Sequence, residues 1–459
     1  MIGRRGGLAN LVLVFLGLSL TTCAQGPGLN IVVITIDTLR ADHLGCYGYP
    51  RPTSPRLDAF AADNVMFENV ACQSSQTLPS HASIFTGLNP RNHKAISHES
   101  PLPEEAVTLA EILKHRGYET GAFVSSHALD SDLHLTQGFD TYWEIHKELS
   151  QSVRRALHVE ERDPTTEAAL AWLEDHAGSR FFLWIHWFHP HRPYNPPQTY
   201  LQRFAPEYSG EASSEPEYVM KAWKGEIEID RQDIDYLTGC YDGEVAYSDF
   251  QIGRLIDALD SLGLTANTVI VVTADHGEIL YEHERYFGHD IALYDECLMV
   301  PLVVHVPGTQ PTRRRVSELT QSIDILPTLL ELLEIEYPQG LEGKSLLGLM
   351  SGGTDATGEH AFSETFPFPE KCMPRHAVRT ASSKLIWKEN PSGPLIKEFY
   401  DLATDPGEKI DLFGQSNEAA RLDSVLMRWI APAGLHPGPI PTAAESRRWG
   451  ILKSLGYVN

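Results

Sequence analysis

The sequence predicts an α/β protein: a large, mostly parallel sheet flanked by helices, followed by a small antiparallel subdomain near the C-terminus. Three observations support this prediction. Short apolar runs bounded by polar turns are typical of strands buried on both faces of a parallel sheet. Segments with helical spacing of apolar residues lie between these runs. From about residue 361 the pattern changes to short strand-like pieces separated by turns.

The large sheet is built from apolar runs, and five of them are predicted strands, at 30–36, 121–124, 181–187, 268–273 and 302–306. Between the runs, apolar spacing predicts helices at 104–116, 244–262 and 322–333. Gly117 directly after the first helix is a typical C-terminal cap. Because strands and helices alternate, a mostly parallel sheet is favoured over separate all-α and all-β parts.

The rest of the chain is divided by composition. Residues 195–235 are rich in Pro, Glu and Tyr without clear periodicity, and they predict a long surface excursion. The C-terminal strands are predicted at 377–380, 384–387 and 398–402. We therefore expect four parts: a signal peptide at 1–23, an α/β domain at 28–355, an antiparallel subdomain at 356–430 and a tail at 431–459.

Composition and charge exclude some classes of protein. Hydrophobic residues make up 42% and charged residues 21% of the 459 residues, which excludes a wholly disordered or fibrous chain. The chain has 61 acidic and 37 basic residues, a net charge of −24. Such a surface repels nucleic acid and anionic membranes at long range, so no nucleic-acid partner is expected.

The N-terminus predicts export. Arg4 and Arg5 precede an apolar run at 11–20, which is shorter than the ~20 residues that span a bilayer. Two interpretations stay open: plain signal-peptidase cleavage after Ala24, or acylation of Cys23, whose neighbours resemble a bacterial lipoprotein cleavage site. In both, the mature protein is periplasmic or extracellular, and in the second a lipid anchors it to the membrane.

The cysteines carry little information. Beyond residue 23 there are five, without CxxC spacing, so a structural zinc site is not expected. An odd number leaves at least one thiol free, and the sequence fixes neither their pairing nor the oligomeric state.

Acidic and imidazole side chains gather at the ends of three predicted strands. Asp37 follows the first run, His186 and His191 lie at the end of the third, and Asp275 and His276 follow the fourth. In open α/β sheets, ligands bind where the carboxyl ends of the strands meet. Asp and His are common metal ligands, so the sequence predicts a metal site at this edge.

Five sequence blocks occur in a fixed order along the chain. They are IDTLRADHLGCYG at 36–48, TLPSH at 77–81 with TG at 86–87, PHRPY at 190–194, TADHGE at 273–278, and YDL at 400–402 with DP at 405–406. Together they resemble the blocks of sulfatases, a family of the alkaline phosphatase superfamily, over about residues 29–415. The resemblance implies the α/β fold of that superfamily and hydrolysis of a small anionic ester.

The resemblance also implies a metal centre and a nucleophile. One divalent ion would be bound by Asp37, Asp275, His276 and Thr77, with Ca²⁺ the ion expected from the family, and Thr77 would be the nucleophile. The chemistry of a divalent ion is consistent with this implied site, because such an ion lowers the pKa of a bound hydroxyl and neutralises a transferring oxyanion. The alternative is that Thr77 only caps a helix.

Histidines supply the remaining residues of the implied site. His191 would contact the anionic group or the leaving oxygen. His289 stands where many sulfatases have a substrate-binding Lys, with His283 a less secure neighbour. His81 takes the place of the Arg in the family's C/S-x-P-x-R motif and is counted with the catalytic residues.

Thr77 is the main departure from the family pattern. Sulfatases carry Cys or Ser there, which is oxidised to the aldehyde formylglycine, whereas oxidation of Thr would give a ketone. Cys72 cannot replace it, because no Pro and Arg follow in the required places. We therefore expect no formylglycine. A phosphate ester of Thr can be hydrolysed by in-line attack at phosphorus, which favours phosphodiester or phosphonate substrates.

A second departure concerns the metal. Many sulfatases have Asp where this chain has Thr38, so one hard ligand is missing and Zn²⁺ or Mn²⁺ become alternatives to Ca²⁺. Asp130 and His134 have the Asp-x-x-x-His spacing of two-zinc relatives, but they lie too far upstream, and we expect an exposed loop pair and a single metal ion.

Three functions stay in competition. The first is a metal-dependent hydrolase of sulfate, phosphodiester or phosphonate esters. The second is a phospho-group transferase of the cell envelope, against which the lack of transmembrane segments in the sequence counts. The third is a non-catalytic protein that keeps the fold and the metal. The acidic surface favours a small, singly charged ester over a highly sulfated polymer.

Overall fold

The structure, a computed structural model, describes residues 28–148, 162–205, 207–283, 287–289, 291–309, 315–336, 338–353, 358–366, 374–390 and 392–432. The predicted signal peptide, Cys23 and nearly all of the predicted tail at 431–459 lie outside these residues, so those expectations stay predictions. In the described ranges, no helix has both the length and the apolar character needed to cross a membrane.

A large mixed sheet forms the body of the molecule. Its strands are β1 Asn30–Ile36, β2 Val65–Ala71, β3 Glu119–Val124, β4 Thr141–Glu144, β5 Phe181–Trp187, β6 Thr268–Ala274, β9 Met299–His305 and β10 Arg315–Gln321. They lie in the order β10-β2-β9-β6-β1-β5-β3-β4. A short hairpin is formed by β7 Ile279–Leu280 and β8 Phe287–Gly288.

Helices flank the sheet. The α-helices in the described residues are α1 Pro55–Asp63, α2 Thr77–Thr86, α3 Pro90–His93, α4 Leu109–His115, α5 Ile145–Glu148, α6 Pro164–His176, α7 Gln198–Phe204, α8 Pro216–Trp223, α9 Arg231–Ser261, α10 Asp295–Leu298, α11 Ile325–Leu332, α12 Leu347–Met350 and α13 Asn417–Ile430.

The centre of the sheet matches the prediction. Strand β1 pairs in parallel with β5 on one side and β6 on the other, and all three are buried along their length. Their continuous apolar sequence follows from burial on both faces. The predicted run at 302–306 lies in β9, which is antiparallel to β6 and β2, so the sheet is mostly but not wholly parallel.

The sequence did not predict β2, β4 and β10. Two of them mix polar and apolar residues: β2 carries the half-buried Glu68 and Asn69, and β10 begins with an exposed arginine. Strands near a sheet edge need no continuous apolar run, because part of their surface meets solvent. Pattern alone therefore finds the centre of this sheet more readily than its edges.

Two predicted helices begin elsewhere than expected. Helix α4 starts at Leu109, because Thr108 and Glu111 exchange side-chain and backbone hydrogen bonds in a capping box. Helix α9 starts well before the predicted residue 244, capped by Asp230. At Gly239 of α9 a Cβ would lie 2.7 Å from the carbonyl oxygen of Phe204, so this glycine lets α7 approach, although it weakens the helical pattern. The segment 195–235, predicted as a long surface excursion, contains α7, α8 and the start of α9, although its sequence shows no clear periodicity.

The C-terminal subdomain is an antiparallel sheet, as predicted. Its strands are β11 Ala361–Thr365, β12 Arg375–Arg379, β13 Ser383–Lys388 and β14 Ile396–Asp401, in that order across the sheet. Helix α13 packs on one face, where Leu422 and Leu426 join Val378, Leu385 and Phe399 in a separate small core. Residue Glu364 of β11 donates its N–H to the carbonyl oxygen of Gln73, which joins the small sheet to the chain after β2.

Candidate active site

One edge of the large sheet collects the predicted site residues, because β1, β5 and β6 end at the same level. Ile36 pairs with Trp187 of β5 and with Ala274 of β6. The next residues, Asp37 and Asp275, therefore leave the sheet side by side, and the N–H of Asp37 still donates to the carbonyl oxygen of Trp187 at 2.9 Å. The register of the strands therefore brings together the carboxylates of Asp37 and Asp275, which are far apart in sequence.

Asp37, Asp275 and His276 form a buried cluster in which one ligand atom from each lies within 4.8 Å of the others. Nε2 of His276 lies 3.3 Å from Oδ2 of Asp275 and 4.0 Å from Oδ1 of Asp37. The hydroxyl of Thr77 lies 3.4 Å from the same nitrogen. Donor atoms around one ion with bonds of ~2.1 Å stand roughly 3.4 Å apart in a tetrahedron, so these four side chains fit a divalent metal ion.

His276 is held in the tautomer that a metal ligand needs. Its Nδ1 lies 3.0 Å from the carbonyl oxygen of Gly277 and donates to it, so the lone pair is on Nε2 and faces the carboxylates. Burial, with His289 nearby, holds the pKa of His276 well below its usual range. The ring is therefore neutral and able to bind a cation.

Asp275 is fixed through one oxygen and presents the other. Its Oδ1 accepts the N–H of His276 at 2.8 Å and that of Thr38 at 3.2 Å, whereas Oδ2 accepts no hydrogen bond. Burial raises the pKa of Asp275 to about 7 in spite of these bonds. Thr38 has φ of 56°, which is costly for a β-branched residue. Backbone strain and an unsatisfied buried oxygen together are typical of a ligand site.

Thr77 is the first residue of α2 and is fully buried. The hydroxyl of Ser80 donates to the carbonyl oxygen of Asp275 at 2.6 Å, which fixes the first turn of the helix against the end of β6. The N–H groups of that turn favour a negative charge beside Thr77. The threonine hydroxyl thus lies where a nucleophile would meet both a cation and an anionic substrate group.

His81 lies behind Thr77 and within the core. Its Nδ1 donates to the carbonyl oxygen of Thr77 at 2.8 Å, and its Nε2 accepts from the hydroxyl of Thr35 at 2.9 Å, which in turn accepts from the indole of Trp184. Burial lowers the pKa of His81 to about 4. A neutral imidazole with both nitrogens engaged positions Thr77 and supplies no positive charge of the kind that an Arg would.

His191 and His289 stand beside the cluster, both fully buried. The ring centre of His289 lies 4.4 Å from that of His276 and 5.0 Å from that of His191. Burial, with His289 adjacent, lowers the pKa of His191, whose Nδ1 donates to the carbonyl oxygen of Arg192. The structure therefore brings the catalytic residues predicted from the sequence, Thr77, His81, His191 and His289, into or next to one buried cluster, which we call the pocket.

Glu278 and Tyr194 belong to the same pocket, and sequence reasoning gave them no role. One oxygen of Glu278 lies 3.0 Å from Nδ1 of His289, and the other accepts the hydroxyl of Tyr194 at 2.9 Å. A carboxylate on Nδ1 orients an imidazole and stabilises its protonated form. The available signal was that both residues lie inside matched blocks, Glu278 directly after the predicted metal ligands.

His186, which the sequence placed at the end of a predicted strand without assigning it a role, also lies in the site. It is fully buried on β5, and its Nε2 lies 3.4 Å from Oδ2 of Asp37. Neither ring nitrogen makes a hydrogen bond, and a ligand atom of His186 lies within 4.8 Å of ligand atoms of His81 and Asp275. His186 therefore adds a buried imidazole beside Asp37 and Asp275.

Other candidates from the sequence lie elsewhere. His283 stacks on Tyr294 with ring centres 3.7 Å apart and lies 3.2 Å from Glu296. Asp130 lies against two other histidines instead of His134, so the Asp-x-x-x-His pair does not assemble.

Comparison with protein families gives two matches. A family model described as Sulfatase matches residues 29–335, about two thirds of the chain. A second model, described as N-sulphoglucosamine sulphohydrolase, C-terminal, matches residues 282–430. The first spans the whole candidate pocket, and the second includes the C-terminal antiparallel sheet.

Individual relatives cover most of the chain. An ulvan-active sulfatase of Formosa agariphila is 29% identical over 435 residues, which is 88% of this chain and 81% of the relative. An arylsulfatase of Clostridium perfringens is 26% identical over 461 residues, 86% of this chain and 92% of the relative. A phosphonate monoester hydrolase of Agrobacterium radiobacter superposes with a TM-score of 0.72 at 23% identity, over 88% of this chain and 95% of that one. This last similarity confirms the predicted fold.

Proposed function

The chain belongs to the sulfatase family of ester hydrolases, and from that premise we propose that it is a metal-dependent hydrolase of phosphodiester or phosphonate esters with Thr77 as nucleophile. The observation that carries the proposal is the buried Thr77 hydroxyl at the start of α2, beside Asp37, Asp275 and His276.

The choice of phosphorus over sulfur rests on the chemistry of Thr77. A formylglycine hydrate has a second hydroxyl, so it can expel sulfate by collapse of the hemiacetal, which breaks a C–O bond. Thr77 has one hydroxyl and lacks this route. A phosphorus ester of Thr77 can be opened by water attacking phosphorus in line. The net charge of −24 further favours a small ester with a single negative charge.

Asp37, Asp275, His276 and Thr77 would hold the metal ion. When bound, the ion supplies positive charge that lowers the pKa of a hydroxyl and neutralises the transferring group. Ca²⁺ is the ion implied by the family. The imidazole ligand, and Thr38 in place of a further carboxylate, make Zn²⁺ or Mn²⁺ suitable as well.

The chain's own groups then divide the reaction into two displacements. The Thr77 hydroxyl loses its proton to solvent and attacks phosphorus, and the bond from phosphorus to the leaving oxygen breaks on the opposite side. His289, oriented by Glu278, gives that oxygen a proton, and His191 contacts the anionic oxygens. Water next attacks phosphorus and gives His289 a proton, and the bond to Thr77 breaks, so that Thr77 takes up a proton and is restored.

A substrate panel tests this proposal. Purified protein loaded separately with Zn²⁺, Mn²⁺ or Ca²⁺ is assayed with aryl phosphodiesters, aryl phosphonates and aryl sulfates. We expect the phosphorus esters to be favoured, Thr77→Ala to abolish multiple turnover, Thr77→Ser to retain part of it, and Thr77→Cys not to create sulfatase activity. The exposed Thr309→Ala is the control. Efficient sulfate turnover with Thr77 unmodified would overturn the proposal.

The same panel separates the alternatives. A transferase would give more esterified acceptor than free acid when an alcohol or glycan acceptor is added. A non-catalytic protein would bind metal through Asp37 and Asp275 yet turn over none of the substrates with any ion.

We further propose that the mature protein acts outside the cytoplasm, in the periplasm or beyond, on the basis of its basic and apolar N-terminus. Labelling with a palmitate analogue distinguishes the two processing routes. Label that disappears in Cys23→Ala supports acylation at Cys23, label that survives rejects it, and an intact N-terminus in the cytosol rejects export.

A further inference from the structure

A second group of side chains of the metal-ligand types lies where β3 and β4 end at the edge of the sheet. His127 and Asp130 lie in the turn that follows β3, and His146 lies in α5, directly after β4. One ligand atom from each of the three lies within 4.8 Å of the others. This cluster, the edge triad, shares no residue with the proposed active site.

The edge triad is compact. Nε2 of His146 lies 2.6 Å from Oδ1 of Asp130, and Nδ1 of His127 lies 3.7 Å from the same oxygen. The two imidazole rings lie 3.7 Å apart between their centres, at an angle of 36°. Two rings are thus directed at one carboxylate oxygen from neighbouring positions, as two ligands of one ion would be.

The backbone around the edge triad is fixed by hydrogen bonds. The Ser126 side chain accepts the N–H of Ala128, which shapes the turn that carries His127. Glu144, the last residue of β4, accepts the N–H of Ser131 at 2.7 Å and pairs with Lys147 at 2.8 Å. These contacts hold the turn after β3 against the start of α5, so the three ligands are arranged before any ion binds.

His146 is held by the other two members of the edge triad. Its side chain is only 9% exposed, its Nε2 lies 2.6 Å from Oδ1 of Asp130, and its ring stacks on that of His127. Its Nδ1 makes no hydrogen bond within the described residues, and a buried polar atom without a partner costs stability. Asp130 and His127 keep about a fifth of their surface in solvent, which leaves room for water to complete a coordination shell.

We propose that His127, Asp130 and His146 bind a second metal ion, Zn²⁺, with water as the fourth ligand. Two imidazoles and one carboxylate are a donor set that suits tetrahedral Zn²⁺. The pocket, in contrast, offers two carboxylates, one imidazole and a hydroxyl. The edge ion would join the turn after β3 to α5 and so brace β4, which is the last strand of the sheet.

Metal counting in the full-length protein tests the proposal. The protein is stripped with a chelator, dialysed against a slight excess of ZnCl₂ and then against metal-free buffer, and its zinc is measured by mass spectrometry. We expect two equivalents in the wild type, one in His127→Ala and in His146→Ala, one in Asp275→Asn, and none when Asp275→Asn is combined with His146→Ala. The exposed His115→Ala should keep two.

Two further measurements keep the result interpretable. Thermal unfolding of metal-free His146→Ala is compared with that of the metal-free wild type to show whether the variant folds. If it does not fold, the more conservative variant His127→Gln is measured instead of His146→Ala. Co²⁺ absorption separates the sites, because the wild type should show a tetrahedral signal that His146→Ala lacks and Asp275→Asn retains. Two equivalents of zinc in His127→Ala and His146→Ala, or a wild type whose zinc depends only on Asp275, would overturn the proposal without affecting the proposed activity.

Discussion

Two regions of this molecule bury several charged side chains, and the groups that surround these side chains differ between the two regions. The junction between the large sheet and the C-terminal sheet brings each buried charge against an opposite one. At the ends of β1 and β6, by contrast, carboxylates and imidazoles are buried close to each other. Burying a charge is costly in both places, so the difference lies in what compensates the cost.

At the junction, Arg91 is nearly fully buried and is held from several sides. Its backbone N–H and its guanidinium both donate to Glu364 of β11, and its guanidinium also lies 3.9 Å from the ring centre of Trp429 on α13. Nearby, Lys384 lies 2.8 Å from Asp295 and 3.0 Å from Glu408. The charges are neutralised within the chain, which is the arrangement expected of a structural interface.

In the pocket, Asp275 presents an oxygen that accepts no hydrogen bond, and neither nitrogen of His186 makes one. A raised pKa does not by itself separate the two regions, because burial raises the pKa of Asp275 in the pocket and also that of Glu408 at the junction, whereas the hydrogen bonds and charges around Glu364 lower its pKa in spite of burial. The comparison teaches that burial of charge alone does not identify a functional site. An incomplete set of partners does so, because something from outside the chain must complete it.

The largest expected effect is on the pocket. Asp275→Asn keeps an oxygen to accept from Thr38 and His276 but removes the charge that, in our proposal, binds the metal. We expect turnover to fall by on the order of 10³-fold or more, since a bound ion contributes several kcal/mol to the transition state. At pH 8 the metal-free variant should be at least as stable as the metal-free wild type in urea unfolding. A large loss of stability would place Asp275 with the junction residues instead.

The next effect is on the junction. Arg91→Ala leaves Glu364 buried and uncompensated, so the free energy of unfolding should fall by about 3–5 kcal/mol. Removing an exposed pair partner, Arg421→Ala, is the matched control and should change stability by less than ~1 kcal/mol. Both are measured by urea unfolding with metal content followed in parallel. Loss of metal in a folded Arg91→Ala protein would contradict the separation of the two regions.

A smaller effect on turnover is expected for a pocket residue that is not one of the proposed metal ligands. Glu278→Gln weakens the orientation and protonation of His289, and kcat should fall by about 10–100-fold with the metal retained. Glu296→Gln alters a second Glu–His pair, with His283, and should leave kcat unchanged. Steady-state kinetics with an aryl phosphodiester measure both. Equal losses in the two variants would bring His283 back into the catalytic group.

The smallest effect is the pH dependence of the junction. Burial raises the pKa of Glu408 to about 8, with Lys384 opposing and Asp295 reinforcing the shift. Because the folded-state pKa lies above the unfolded value, the folded state binds the extra proton between about pH 4.5 and 8, and stability falls as pH rises through that range.

Glu408→Gln imitates the protonated form and should flatten this slope, which one proton limits to about 1.4 kcal/mol per pH unit. Unfolding curves of both proteins at several pH values measure the difference. A slope that is the same in both would show that Glu408 does not titrate in this range.

The sequence predicted the centre of the fold and the meeting of Asp37, Asp275 and His276 for one physical reason. Strands buried on both faces, such as β1 and β6, are continuous apolar runs, and the residues that follow them must meet at one edge. The partners of those residues were not predictable in the same way. Glu278 contacts His289 through a short hairpin, and His186 reaches Asp37 across the sheet, so each depends on side-chain geometry that spacing does not encode.

The buried ion pairs of the junction could not be predicted from the sequence either. Arg91 and Glu364 are far apart along the chain, and an isolated charged residue in a sequence is most simply taken as exposed. The sequence did not predict the edge triad either. The spacing of Asp130 and His134 was interpreted as an exposed loop pair, whereas the histidines close to Asp130 in the structure are His127 and His146.

The stereochemical course at phosphorus tests the central claim, attack by Thr77, most directly. An aryl phosphorothioate ester that is chiral at phosphorus is hydrolysed in ¹⁸O-labelled water, and the configuration of the product is determined. Each in-line displacement inverts phosphorus, so attack by Thr77 followed by attack of water predicts net retention. Net inversion would mean that water attacks the substrate directly, and it would contradict the role of Thr77 as nucleophile.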